Sequence, residues 1–107
     1  MNWKEYTKNV LITANPVLTK TESIFSATMG LVGESAEVSE IIKKRYFHGK
    51  EIPQDDLMKE VGDVCYYLAW FCHLQGIDIS QAMERNIEKL QKRHPKGFSS
   101  DYKDREG

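Results

Sequence analysis

Glu60-Val61-Gly62-Asp63-Val64-Cys65-Tyr66-Tyr67-Leu68-Ala69-Trp70-Phe71-Cys72 is the stretch on which the fold turns. From Val64 to Cys72 every residue is apolar or aromatic, with no glycine or proline among them. The run lies in a helical pattern from about Asp55 to Gln75, which Gly76 closes. A helix that is apolar all round is buried all round. In a chain of 107 residues, that places it at the centre of a bundle or in a subunit interface. A monomer of this size buries only about two thirds of its unfolded surface and gains from sharing a core with a second chain.

Working outward, the remaining segments also have helical period. Asn2 caps a first helix, with Glu5 completing a capping box. Trp3, Tyr6, Val10 and Leu11 share its apolar face, and Asn15-Pro16 ends it. A second helix is predicted from about Thr21 to Tyr46, with an apolar stripe of Ile24, Phe25, Thr28, Leu31, Val32, Val38, Ile41 and Ile42. Gly30 and Gly33 inside it each cost about 1 kcal/mol against alanine, which points to close packing or a local bend. Gly49 is a candidate stop. Asp78 caps a fourth helix that runs to about Lys92, and Pro95 and Gly97 end it. No β alternation or hairpin turn is evident. The expectation is an all-α four-helix bundle over residues 1–98, followed by a polar arm over 99–107.

Bulk composition narrows the function. The chain is 40% hydrophobic and 29% charged, with a net charge of −1. That balance gives no basic face for nucleic acid. No run of about 18 apolar residues offers a membrane span. The N-terminal residues have no apolar signal core, so the expected location is cytoplasmic. Cys65 and Cys72 are seven residues apart, about 10.5 Å of helix rise. That is too far for a disulfide, so both read as inert, buried thiols. His48 and His94 fall at helix ends, and His73 reads as a hydrogen-bonded core residue.

Two segments carry candidate chemistry. Glu34-Ser35-Ala36-Glu37 and Glu60-Val61-Gly62-Asp63 are both acid-x-x-acid. Residues three apart share a helix face, so each segment presents two carboxylates side by side. Their neighbours are small or apolar, which sets them beside the core stripe. If the two helices pack antiparallel, four carboxylates converge and require a cation. An all-oxygen donor set suits Mg²⁺ or Mn²⁺ and not zinc. The bland reading is a solvated helix face, and one such pair alone is weak evidence. A cation held by acids commonly has phosphate as its other partner. Lys43-Lys44-Arg45 on the second helix, and Asn86, Lys89 and Arg93 at helical spacing on the fourth, are candidate phosphate groups. The same lysines also suit helix ends that offset the macrodipole. For a nucleobase, Trp3, Tyr6, Phe25, Trp70 and Phe71 offer rings, and Asn15 offers an amide. Ile12 and Asn15 lie on and just after the first helix, the element left to roof such a site. Core packing and a turn before Pro16 are the ordinary roles of these residues.

These motifs, in this order, resemble a known family. Gly30 to Lys44 looks like the first metal-binding helix of MazG-like nucleoside triphosphate pyrophosphohydrolases. Glu60 to Leu68 looks like the second, and Asn86 to Phe98 is similar to the closing helix and its exit. The resemblance implies an all-α bundle that is a homodimer or a homotetramer built as a dimer of dimers. It implies that Glu34, Glu37, Glu60 and Asp63 hold Mg²⁺. It implies hydrolysis of a (d)NTP to (d)NMP and pyrophosphate, with Glu34 or Glu37 handling the attacking water. Lys89, Arg93 and Asn86 match phosphate-facing positions, Lys43 is a further candidate, and Tyr67 is placed to pack on the sugar. Some relatives carry a doubled acid at the first motif, where this chain has Gly33 before Glu34. The competing class is a non-catalytic helical oligomeric regulatory module, which would not explain four acids beside the core. A di-iron bundle would need Glu-x-x-His pairs, and no histidine stands in either acid segment.

Overall fold

The computed structural model describes residues 1–98; the polar segment 99–107, expected as an arm, lies outside the described residues. Four helices are present: α1 (Trp3–Thr13), α2 (Lys20–Tyr46), α3 (Gln54–Leu74) and α4 (Ile79–Arg93). No strand occurs among the described residues, so the fold is all-α as expected. No helix there is long and apolar enough to cross a membrane.

The helix starts follow capping chemistry. The Asn2 side chain accepts from the Glu5 N–H at 2.9 Å and opens α1. Thr19 opens α2 with a complete capping box, in which its hydroxyl accepts from the Glu22 N–H and its own N–H donates to the Glu22 carboxylate. This box starts α2 one residue ahead of the expected Thr21. Asp78 caps α4 by accepting from the Ser80 N–H at 2.9 Å. Pro53 precedes α3 and gives it no side-chain cap, but Asp55 and Asp56 put negative charge in its first turn. Gly49 and Gly76 take positive φ, +62° and +65°, and turn the chain out of α2 and α3 where a Cβ would be strained.

The chain divides into two compact units, Met1–Gly76 and Ile77 onward. In the first, α2 packs along α3, and α1 packs against α3. Val10 of α1, Ala27 of α2, and Ala69 and Trp70 of α3 form its core, flanked by Trp3, Tyr6, Tyr66, Tyr67 and Phe71. The apolar run of α3 is less buried than its composition predicts. Ala69, Trp70 and Cys72 are buried, while Val64 to Leu68 are only half-buried. The physical reason is that α1 and α2 cover part of the circumference of α3 and leave the rest. His73, expected in the core, is exposed, because it points to the uncovered side. In the second unit α4 buries no residue.

Arg45 closes the α2–α3 hairpin. Its Nε and Nη2 donate to the Ile52 carbonyl at 3.1 and 2.6 Å, and its Nη1 donates to Gln54 Oε1 at 3.1 Å. One guanidinium thereby ties the end of α2 to the entry of α3.

The two helical glycines part company. A Cβ on Gly30 would run into the Tyr67 ring, whereas one on Gly33 would meet nothing within 4 Å. Only Gly30 marks a close approach of the helices. Gly30→Ala is expected to cost about 1–3 kcal/mol by displacing Tyr67. Gly33→Ala is expected to be neutral or to stabilise by up to about 1 kcal/mol. Urea unfolding followed by circular dichroism checks both. Equal shifts for the two variants would remove the packing role given to Gly30.

Candidate metal centre

The α2–α3 contact brings the acid segments together. Carboxylate oxygens of Glu34, Glu60 and Asp63 all lie within 4.8 Å of one another. Glu34 and Glu60 are half-buried, and Asp63 is exposed. The structure gathers three of the four expected acids this closely. Glu37, one turn beyond Glu34, is exposed and stands outside this group, although its charge is felt at Glu34. Glu37 is thus at the rim of the seam, the exposed member of its acid pair.

The electrostatics of the cluster are those of crowded like charges. Partial burial, a hydrogen bond with Glu60, and the charges of Asp63, Glu60 and Glu37 push the Glu34 carboxyl above its ordinary value. A divalent cation would reverse this balance, since each carboxylate would then face positive charge. Three hard oxygen donors with no histidine or thiol in the group fit Mg²⁺ or Mn²⁺.

Around the acids, Tyr6 donates its hydroxyl to the Gly62 carbonyl at 3.2 Å. Burial, and then Cys65, Asp63 and Tyr66 nearby, hold its phenol above its ordinary value. It therefore stays a donor at neutral pH. The sequence offers Tyr6 as an apolar-face residue and as a ring for a base, not as a partner of the acid-bearing turn. Its position on the same face as Trp3 and Val10 was the available signal that it meets α3. The thiol of Cys72 is pushed up by burial, in keeping with an inert role.

The other expected site residues fall as follows. Tyr67 is half-buried and lies against Gly30. Its ring centroid is 6.4 Å from that of Trp70. Trp70 is 6% exposed and occupies a core position. Ile12 is exposed. Asn15 is exposed too, and its Oδ1 accepts from the Val17 N–H at 3.0 Å, the turn expected before Pro16. Lys43 lies 3.7 Å from Glu40 in an exposed pair, which contributes little to stability. The donors of Arg45 are engaged in the hairpin. Asn86, Lys89 and Arg93 follow one another on α4 in the second unit, Asn86 exposed and the other two half-buried. An open groove of about 520 Å³ lies at the hairpin end, lined by Arg45, Tyr46, Lys50, Glu51, Ile52 and Pro53. Arg45 is about 16 Å of helix rise from Glu34.

An all-α chain that gathers three carboxylates across a helix hairpin is a carboxylate-lined helical domain. Within that class, the MazG nucleotide pyrophosphohydrolase domain matches residues 22–98, and the chain belongs to that family. It is similar to the Gene 37 protein of Mycobacterium phage L5, 38% identical over 80 residues, which cover 71% of this chain and 70% of that protein. No solved structure matches the chain.

The raised Glu34 carboxyl gives a stability prediction. Its contribution is fully present below the unfolded carboxyl value and is lost as pH rises through the folded value. In EDTA, Glu34→Gln is therefore expected to melt above wild type at neutral pH. The gap should close as pH falls into the carboxylate range. Thermal melts across pH check this, and a gap that does not change with pH would assign the effect to packing.

Proposed function

We propose that the protein is a metal-dependent nucleoside triphosphate pyrophosphohydrolase, converting a (d)NTP and water to (d)NMP and pyrophosphate. The observation that carries this reading is the convergence of Glu34, Glu60 and Asp63 in a chain of the MazG family. Glu34, Glu60 and Asp63 would hold Mg²⁺ or Mn²⁺, with Glu37 at the rim as a fourth acid. The bound ion supplies charge neutralisation and Lewis-acid polarisation of phosphate oxygens.

The chain's own groups do the rest. Water attacks the α-phosphorus, the bond from that phosphorus to the bridging oxygen breaks, and pyrophosphate leaves with the electron pair. The water proton passes to a carboxylate. We favour Glu37 over Glu34 for this role, because it is exposed and outside the three-acid group. Lys43, Asn86, Lys89 and Arg93 are proposed to meet phosphate oxygens. Ile12, Asn15 and Tyr67 are proposed to line the base and sugar. Trp70 would contribute from beneath, by supporting Tyr67.

The active form is proposed to be a homodimer or a homotetramer. Five hydrophobic side chains are buried among the described residues, a small core for this length. Phe25, Met29 and Val32 form an exposed stripe on α2, at 61%, 65% and 65% exposure. Met83, Ile87 and Leu90 form another on α4. Exposed apolar stripes of this kind mark association surfaces.

The test is a product assay with each common NTP and dNTP, with Mg²⁺, Mn²⁺ or EDTA. Monophosphate plus pyrophosphate, lost in EDTA, is the expected result. Glu60→Gln and Asp63→Asn should each lower kcat at least about a hundredfold, as loss of one preorganised electrostatic group does elsewhere. Diphosphate plus orthophosphate would discard the bond assignment. No turnover of any nucleotide would favour the non-catalytic regulatory module.

A further inference from the structure

Two hydroxyl contacts stitch α1 to α3. The Thr13 and Tyr66 hydroxyls lie 3.1 Å apart. The Tyr6 hydroxyl lies 3.2 Å from the Gly62 carbonyl. The second differs in kind, because Gly62 sits between Glu60 and Asp63. Its carbonyl belongs to the helical turn that carries Glu60 and Asp63, the two cluster acids of α3. A backbone carbonyl has two lone pairs, so it can accept from outside while α3 continues unbroken to Leu74. The Tyr6 ring is itself held edge-on by Trp3, with centroids 5.8 Å apart and an interplanar angle of 80°. The donor is therefore mounted on a packed aromatic pair and not on a mobile chain.

The three carboxylates repel one another, and Asp63 is exposed. The tie from α1 opposes any tilt of that turn that would spread the charges. We propose that Tyr6 is a positioning residue of the metal centre. Its hydroxyl fixes the α3 turn bearing Glu60 and Asp63, so that two of the three oxygen donors are preorganised before a cation arrives. Preorganisation of this kind raises affinity by lowering the cost of ordering the ligands. The proposal rests on the cation reading given above. It assigns Tyr6 no contact with substrate.

The experiment is Mn²⁺ binding to the full-length, nucleotide-free protein, read from the electron paramagnetic resonance signal of free Mn²⁺. Wild type, Tyr6→Phe and Thr13→Val are compared, with thermal melts of each in EDTA. Tyr6→Phe keeps the ring and removes one donor. It is expected to weaken Mn²⁺ binding about threefold to tenfold, the span of one hydrogen bond. Thr13→Val loses a contact between the same two helices, one turn past Asp63, and is expected to bind Mn²⁺ as wild type does. Tyr6→Phe binding at the wild-type level would overturn the positioning role alone. Equal weakening in both variants would also overturn it, because the effect would then belong to the general docking of α1. A wild-type protein that binds no Mn²⁺ would overturn the cation reading, and this inference with it.

Discussion

The close approach of α2 and α3 at Gly30 and Tyr67 sets the register of everything that follows. Gly30 has no side chain, so the Tyr67 ring occupies the space a Cβ would take. One turn along α2 from Gly30 is Glu34. One turn back along α3 from Tyr67 is Asp63. In an antiparallel pair these steps run the same way in space, so the packed contact delivers Glu34 to Asp63 and Glu60. At the far end the Arg45 guanidinium holds Ile52 and Gln54, which keeps the same register. The hairpin is fixed at both ends, and the acids lie between.

Packing and electrostatics oppose each other along this seam. Burying Ala27 and Trp70 draws the helices together, and drawing them together crowds carboxylates that would separate in water. Burial first, and the crowding after it, raise the Glu34 carboxyl. A site of this sort is stabilised by the fold and not by its own charges, so removing an acid relaxes the chain while removing a packing residue disperses the acids. The crowded acids, membership of the MazG family and the oxygen-only donor set point the same way.

Much of this was legible in the sequence, for physical reasons that also mark where reading stops. Helices, their caps and the acid-x-x-acid faces are local, set by spacing and by residues within four positions. Four helices followed from them; the meeting of the acid segments followed only on the condition that the two helices pack antiparallel, and of the four acids expected together Glu37 stands outside the group. Nothing local separates Gly30 from Gly33. Both sit on one helix and both cost propensity, and only the place of Tyr67 distinguishes them. The same holds for Arg45, grouped by sequence with two lysines but engaged by carbonyl and amide groups of the following turn. Tyr6 meets Gly62 across 56 positions, a contact set by how α1 docks. His73 failed as a core residue because composition gives the apolarity of a helix but not how much of its circumference neighbours cover.

The geometry of α2 reconciles a small core with an open acid cluster. At about 100° per residue, Ser23, Ala27, Gly30 and Glu34 fall on one side of the helix, and the first two are buried. Phe25, Met29 and Val32 fall on the opposite side and are exposed. The seam that carries the acid is therefore not the face that seeks cover. A second copy seated on the Phe25 stripe would add the apolar burial that the chain lacks without closing the mouth of the acid cluster. Had the two faces coincided, association and access of a phosphate ligand would compete. Their separation would let the same helix serve both, and the exposed position of Asp63 on α3 leaves the cluster open to solvent.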